Sequence, residues 1–338
     1  MSESADMTPA KRRELLLNIG LAAGMFLGLC VAAEFALRYF LLSKYNPFEP
    51  DAALGARLKS DFEGAYPRVA VRTDRHGNRV PLDQDIAASG RYLFIGDSVT
   101  FGFSVAAEQA FPVLIGASLG APADATIAAV PGYNLGQAIG LARESIERVR
   151  PELVIYTLVV NDLGSALSPT TYAGLNPHAA RAAEGGFLAT SAFVAFVQRR
   201  ARRLSTRFRA AGPEPEQSAD NVVRDYRAEL PAAVDAAFRE QWAELEALQR
   251  EVGVPMYVVI APYALQVNEE PGLTGLQDYV AALCVASNLR CLDPLELFVA
   301  NAESELFTPG SSYHFSTIGH ALLSDWLVPR LTATPEQP

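Results

Sequence analysis

Four short blocks of this sequence carry residue types suited to acyl chemistry. The first is Gly96-Asp97-Ser98, directly after the apolar run Tyr92 to Ile95. A Ser at a strand's carboxyl end, where the chain turns toward a helix, is exposed and lies near helix-terminal N–H groups. The others are Val130-Pro131-Gly132-Tyr133-Asn134, Val160-Asn161-Asp162, and Ser311-Ser312-Tyr313-His314-Phe315. A Ser hydroxyl is a poor nucleophile until a neighbour takes its proton, and imidazole titrates near neutrality, as that task needs. Gly lets a backbone N–H approach a reacting carbonyl without a Cβ in the way, and Asn donates without adding charge. Any one block is common by chance; a bare Gly-Asp-Ser reads equally as a strand-ending turn.

The elements around these blocks give them a common setting. Short apolar strands alternate with amphipathic helices: a strand at 91–96, a helix near 106–119, a strand at 125–130, a helix near 134–148 and a strand at 152–160. The rhythm resumes with a helix near 231–252, a strand at 255–262, a helix near 273–288, a short strand near 289–293 and a closing helix near 316–331. Such alternation predicts right-handed crossovers and a parallel sheet covered on both faces, with functional residues at the carboxyl ends of its strands. Three successive strands then deliver Ser98, Gly132 and Asn161 to one edge of the sheet, and His314 arrives there just ahead of the last helix. Ser316 or Thr317 can cap that helix, whose apolar stripe reads as Ile318, Leu322, Leu323, Trp326 and Leu327.

In order and setting the four blocks resemble the SGNH (GDSL) hydrolase family over about 91–331, and the preceding segment is similar to that of membrane-anchored bacterial members. The resemblance implies a three-layer α/β/α, flavodoxin-like fold without a cofactor or metal. It implies Ser98 as nucleophile, His314 as its general base, and an oxyanion held by the Ser98 and Gly132 backbone N–H groups and the Asn161 amide. One position departs from the family: the Asp usual three residues before the His is Ser311 here, which leaves a Ser–His dyad with Ser311, a backbone carbonyl or another acid to orient the ring. Asp97 and Asp162 read as loop-bonding residues, Ser104 and Glu108 as residues at a helix start, and His320 as a helix-surface His.

Composition bounds the rest. Of 338 residues, 38 are acidic and 28 basic and half are apolar, so the chain is globular, and a net charge of −10 argues against general nucleic-acid binding. Neither a CxxC pair nor an HExxH motif occurs, which disfavours a zinc ribbon and a zinc hydrolase. From Leu15 to Ala33 the chain is apolar apart from Asn18, behind Lys11, Arg12 and Arg13. Such a run is long enough to cross a bilayer and longer than the 7–15 apolar residues usual in a signal peptide. The reading is a cytoplasmic tail at 1–14, an inner-membrane anchor and interface at 15–42, a β-containing lead-in at 43–90, an exported hydrolase-like domain at 91–331 and a tail at 332–338. Export would put Cys284 and Cys291 in an oxidising compartment, where a bridge between them or two reduced core thiols are both open. An insertion at 164–230 contains a helix with arginines from Arg199 to Arg209, either a solvated face or a contact for anionic lipid or glycan. The expected activity is that of a serine esterase removing acyl, foremost O-acetyl, groups from a cell-envelope glycan or small ester. The alternatives are an O-acyltransferase in polysaccharide modification and a non-catalytic glycan-binding scaffold.

Overall fold

The computed structural model describes residues 9–39, 44–66, 69–82, 90–175, 191, 193 and 230–332. The chain divides into two compact units, residues 1–45 with 178–212, and residues 46–177 with 213–338. In the first unit, helix α1 (Pro9–Arg38) begins six residues before the apolar run that announces it. Its stretch Pro9–Leu37 has a mean hydropathy of 2.2 in its most apolar window, long and apolar enough to cross a membrane. Leu16, Leu21, Phe26 and Leu29 all stand exposed along it. Glu34 near its end accepts hydrogen bonds from Ser191 Oγ and the Phe193 N–H, both at 2.8 Å. The arginines from Arg199 to Arg209 lie outside the described residues.

The second unit opens with five short strands, β1 (Phe48–Asp51), β2 (Gly55–Leu58), β3 (Glu63–Ala65), β4 (Ala70–Thr73) and β5 (Arg79–Val80). The α/β rhythm follows: β6 (Tyr92–Gly96), α2 (Ser98–Phe101), α3 (Phe111–Leu119), β7 (Ala125–Ala129), α4 (Leu135–Val149), β8 (Leu153–Leu158), α5 (Val160–Gly164) and α6 (Tyr172–Leu175). After the insertion come α7 (Ala232–Val252), β9 (Met256–Ile260), α8 (Gly275–Ser287), β10 (Arg290–Leu292), α9 (Leu295–Ala300) and α10 (Thr317–Thr332).

The sheet order is β10-β9-β8-β6-β7-β5-β4-β3. Its five strands from β10 to β7 are parallel and follow the flavodoxin-like order, the chain reversing direction of travel between β6 and β8. That is the expected α/β fold. The lead-in is no separate piece, however: β5 pairs antiparallel with β7 through Arg79 and Ile127, and β4 and β3 continue the sheet antiparallel. A free edge of β7 offers unpaired backbone groups, and pairing with the lead-in satisfies them. The lead-in therefore brings its own side chains against the turn that carries Ser98.

Burial explains the parallel strands. Every residue of β8 and β9 is buried, as a sheet covered on both faces requires. Leu93, Phe94, Ile95, Val154, Ile155, Val258 and Val259 form the core with Ile139, Phe238, Leu245 and Leu323 from the covering helices. A second cluster, Phe48, Leu58, Val71, Phe101, Ile127 and Tyr133, welds the lead-in to β7 and the loop that carries Ser98.

Three expectations shift in detail. The helix expected from about 106 is a 3-10 turn at Ala107–Gln109, with α3 beginning only at Phe111. Pro112 sets that start, since Pro is tolerated in a helix's first turn and breaks its interior. In α10 the buried face is Gly319, His320, Leu323, Ser324 and Leu327, so Ile318, one position round the helix, is exposed. His320, expected at the surface, is 1% exposed: its Nδ1 accepts the Phe111 N–H at 3.3 Å and its ring stacks on Phe111. Cys284 and Cys291 are joined by a disulfide that ties α8 to β10.

Candidate active site

The strand β6 ends in Gly96, whose φ of +150° and tight surroundings exclude any side chain: a Cβ there would meet Thr100 Oγ1 at 2.4 Å. The chain turns sharply at this point and starts α2. Asp97 caps the helix, its Oδ1 accepting the Val99 N–H at 2.9 Å. Ser98 thus sits in the first turn of α2, at the carboxyl edge of the sheet, with 5% of its surface exposed.

His314 comes from the far end of the sequence. Phe307 and Phe315 pair across a small antiparallel bridge, and the Thr308 N–H donates to the His314 carbonyl at 2.8 Å. Gly310 takes a positive φ of 78° in the turn between them. The Ala264 N–H, after β9, bonds the Ser312 carbonyl at 2.7 Å and fixes the turn to the sheet edge. His314 Nε2 lies 2.9 Å from Ser98 Oγ, and its Nδ1 lies 2.9 Å from Ser311 Oγ. Ser311 Oγ also accepts the His314 N–H at 3.0 Å. Among the described residues no carboxylate hydrogen-bonds this ring. Asp293, an exposed acid nearby in sequence, accepts the Leu295 N–H at the start of α9 instead.

Phe103 covers one face of the His314 ring, centroids 4.3 Å apart and planes 25° from parallel, while Tyr313 lies tilted at 4.6 Å. Burial between these groups pushes the imidazole pKa down from 6.5 to about 4. The ring is therefore neutral at ordinary pH and able to accept a proton.

Gly132 follows β7 in a turn with φ +85°, and Thr170 Oγ1 hydrogen-bonds its carbonyl. Gln137 holds Thr170 there, its Nε2 donating to the Thr170 carbonyl at 2.7 Å and its Oε1 accepting the Thr170 N–H at 2.8 Å. Asn161 lies in α5 after β8, its Nδ2 3.4 Å from Asp97 Oδ2 and its Oδ1 buried without a partner. Ser98, Gly132 and Asn161 thus follow three adjacent strands at one edge of the sheet. Asp162, next along, points away: its Oδ2 accepts the Tyr156 hydroxyl at 2.9 Å and the Val159 N–H at 2.8 Å.

Asp97 does more than bond its loop. Its Oδ2 is 3.2 Å from Ser98 Oγ as well as within reach of Asn161. Burial raises the pKa of Asp97, and burial together with the Asp97 charge raises that of Asp162. Phe103 and Arg79 are the other neighbours that the sequence blocks did not single out. Their signals were a Phe five residues beyond the Ser and an Arg in an otherwise apolar two-residue strand. Ser104 has φ +70° in the same loop, and Glu108 accepts the Leu82 N–H at 2.7 Å. No group of His, Cys, Asp and Glu among the described residues could hold a metal.

A sequence model of the GDSL-like lipase/acylhydrolase family matches residues 94–322. The chain belongs to this family. GDSL-like lipases and acylhydrolases cleave esters, and this member is an ester hydrolase. No curated protein matches the chain. Among solved structures, a lipolytic protein of the G-D-S-L family from Desulfitobacterium hafniense is 13% identical, with a TM-score of 0.41 over 70% of this chain and 97% of that one. A lipase/acylhydrolase from Enterococcus faecalis is 16% identical, with a TM-score of 0.41 over 74% of this GDSL chain and all of the other. An acetylxylan esterase from Geobacillus stearothermophilus is 14% identical, with a TM-score of 0.42 over 74% and 98%.

Proposed function

We propose that this GDSL protein is an exported, membrane-anchored serine esterase that works through a Ser98 acyl-enzyme on acyl, foremost O-acetyl, esters of a cell-envelope glycan or a small molecule. The observation that carries the reading is the 2.9 Å contact between Ser98 Oγ and His314 Nε2. Ser98 Oγ attacks the ester carbonyl while His314 takes its proton. The oxyanion is held by the Ser98 and Gly132 N–H groups and the Asn161 amide. Collapse expels the alcohol, which takes the proton from His314. Water then attacks the acyl-enzyme, His314 again serving as base, and the carboxylic acid leaves with Ser98 restored.

Anchoring in the inner membrane with the amino terminus in the cytoplasm is supported by the length and apolarity of α1 and by Lys11, Arg12 and Arg13 ahead of it. Export is supported by the Cys284–Cys291 disulfide, a bond that persists in oxidising compartments and rarely in the cytosol. A domain tethered outside that membrane meets the envelope's own polymers, which favours a glycan ester.

The test uses the full chain in detergent or membranes. A fluorophosphonate should label the parent and not Ser98→Ala, and His314→Ala should lose most turnover of p-nitrophenyl acetate. An unlabelled parent would leave a non-catalytic glycan-binding protein. With an acetylated glycan, free acetate supports hydrolysis, whereas acetyl groups recovered on an added sugar acceptor would make the enzyme a transferase.

A further inference from the structure

Arg79 is 2% exposed and its guanidinium faces carbonyl oxygens rather than a carboxylate. Nη1 donates to the carbonyls of Phe101 at 2.5 Å and Gly102 at 2.6 Å, and Nη2 to that of Val105 at 2.6 Å. The guanidinium also lies over the Phe101 ring at 4.4 Å. Burying an Arg in this way is costly, and burial lowers its pKa to about 10. Its three bonds bracket one short loop, Phe101 to Val105, and that loop carries Phe103 onto the face of His314.

We propose that Phe103, clamped by Arg79 of the lead-in, is a positioning residue that holds the His314 ring in the plane a carboxylate partner would otherwise fix. The inference rests on the reading of Ser98 and His314 as nucleophile and base. A catalytic imidazole needs its Nε2 aimed at the nucleophile and its proton on Nδ1. A neighbouring carboxylate accomplishes both. Here Ser311 Oγ engages Nδ1 with a neutral bond, which leaves the ring free to tilt about that contact. The stacked Phe103 removes the tilt. It also excludes water from one face and so keeps the base neutral. The face of an aromatic ring attracts an imidazolium too, but for a desolvated pair that attraction amounts to about one and a half pH units. Burial lowers the pKa from 6.5 to about 4 and outweighs it.

The titratable groups around the ring decide how the test is built. Ser98 on α2 has Asp97 behind it, Tyr313 flanks the ring from its own turn, and His320 on α10 and Arg79 on β5 interact electrostatically with one another. His314 in turn lowers the pKa of His320. Removing the Arg79 charge would raise the pKa of His320 by itself, so the informative change is Arg79→Lys, which keeps the charge and loses the three-carbonyl fork.

The experiment measures kcat and KM for p-nitrophenyl acetate from pH 3.5 to 8 on the full chain, with fluorophosphonate titration of the active fraction. Phe103→Ala is expected to lower kcat per active site about tenfold with KM within about twofold, and to move the acid limb of kcat/KM upward by about one pH unit. Phe103→Trp should restore both, and Arg79→Lys should move the limb in the same direction. An acid limb unmoved in Phe103→Ala, with kcat per active site at the parental value, overturns the proposal. So does failure of Phe103→Trp to restore a limb that has moved, because the aromatic face would then not be what holds the ring. If Ser98→Ala turns over ester as fast as the parent, the site reading itself fails, and the clamp falls with it.

Discussion

Ser311 Oγ lies 2.9 Å from His314 Nδ1, and its position, three residues before the His, is the one where members of this family usually carry an Asp. The family's charge on the far side of the imidazole is replaced by a hydroxyl. Ser311→Ala removes a hydrogen bond worth about 0.5–1.5 kcal/mol and is expected to lower kcat up to about tenfold with KM unchanged. Ser311→Asp gives the imidazolium a negative partner and is expected to raise kcat, since the side chain already reaches the ring nitrogen. Steady-state kinetics on both variants check this; equal kcat in all three proteins would remove Ser311 from the mechanism.

In the proposed mechanism the acid limb of activity follows from burial of His314. His314 accepts a proton only while neutral, and burial lowers its pKa to about 4. Activity is therefore expected to fall on acidification through about pH 4, not through 6.5. A kcat/KM profile in overlapping buffers reads this directly, and a midpoint above pH 6 would mean that the ring is wet in solution.

His320 is expected to contribute to stability rather than turnover. Its folded pKa of about 3 lies below the ordinary 6.5, held down by burial first and then by the charges of Arg79 and His314. The unfolded chain thus binds a proton that the folded chain does not, so this stability is complete above pH 6.5 and is lost as pH falls toward about 3. His320→Gln keeps an acceptor for the Phe111 N–H and is expected to flatten the decline of Tm between pH 6.5 and 4. His320→Ala is expected to cost about 1–3 kcal/mol by leaving that donor unpaired, with kcat of the folded enzyme unchanged. Thermal melts at several pH values distinguish these outcomes.

Asp97 Oδ2 accepts from Asn161 Nδ2 at 3.4 Å, which leaves the second N–H of that amide for the oxyanion contact proposed for it. Asp97→Asn preserves the cap on α2, because Asn caps as well as Asp, and removes the charge that pins the amide. It is expected to lower kcat about tenfold, and the loss should nearly vanish in an Asn161→Ala background. Additive losses in that double-mutant cycle would show that Asp97 does not act through Asn161.

Much of this architecture is written in local pattern. The strand ends that lead to Ser98, Gly132 and Asn161 follow from continuous apolar runs closed by turn residues, and a sheet buried on both faces demands such runs. The ester-hydrolase family was legible because four blocks fell on the right elements in the right order. Local pattern also announced an apolar α1 and a helix near 134–148, which the structure begins at Leu135 with Asn134 accepting the Gln137 N–H at 3.0 Å.

Tertiary structure decided what depends on residues distant in sequence. Whether His320 is wet or buried turns on one step around α10, which 3.6-residue periodicity resolves poorly when Ile318 and His320 flank the same stripe. The lead-in joined the sheet because β7 had an edge to satisfy, a fact about strand order that β4 and β5 do not carry in themselves. Packing brought Phe103 onto the His314 ring across 211 residues of chain, and Arg79 onto the loop that carries Phe103. Local sequence determines which side chains an element offers; only the closed core determines which of them meet, because those contacts form once the distant elements have been driven together by burial of their apolar faces.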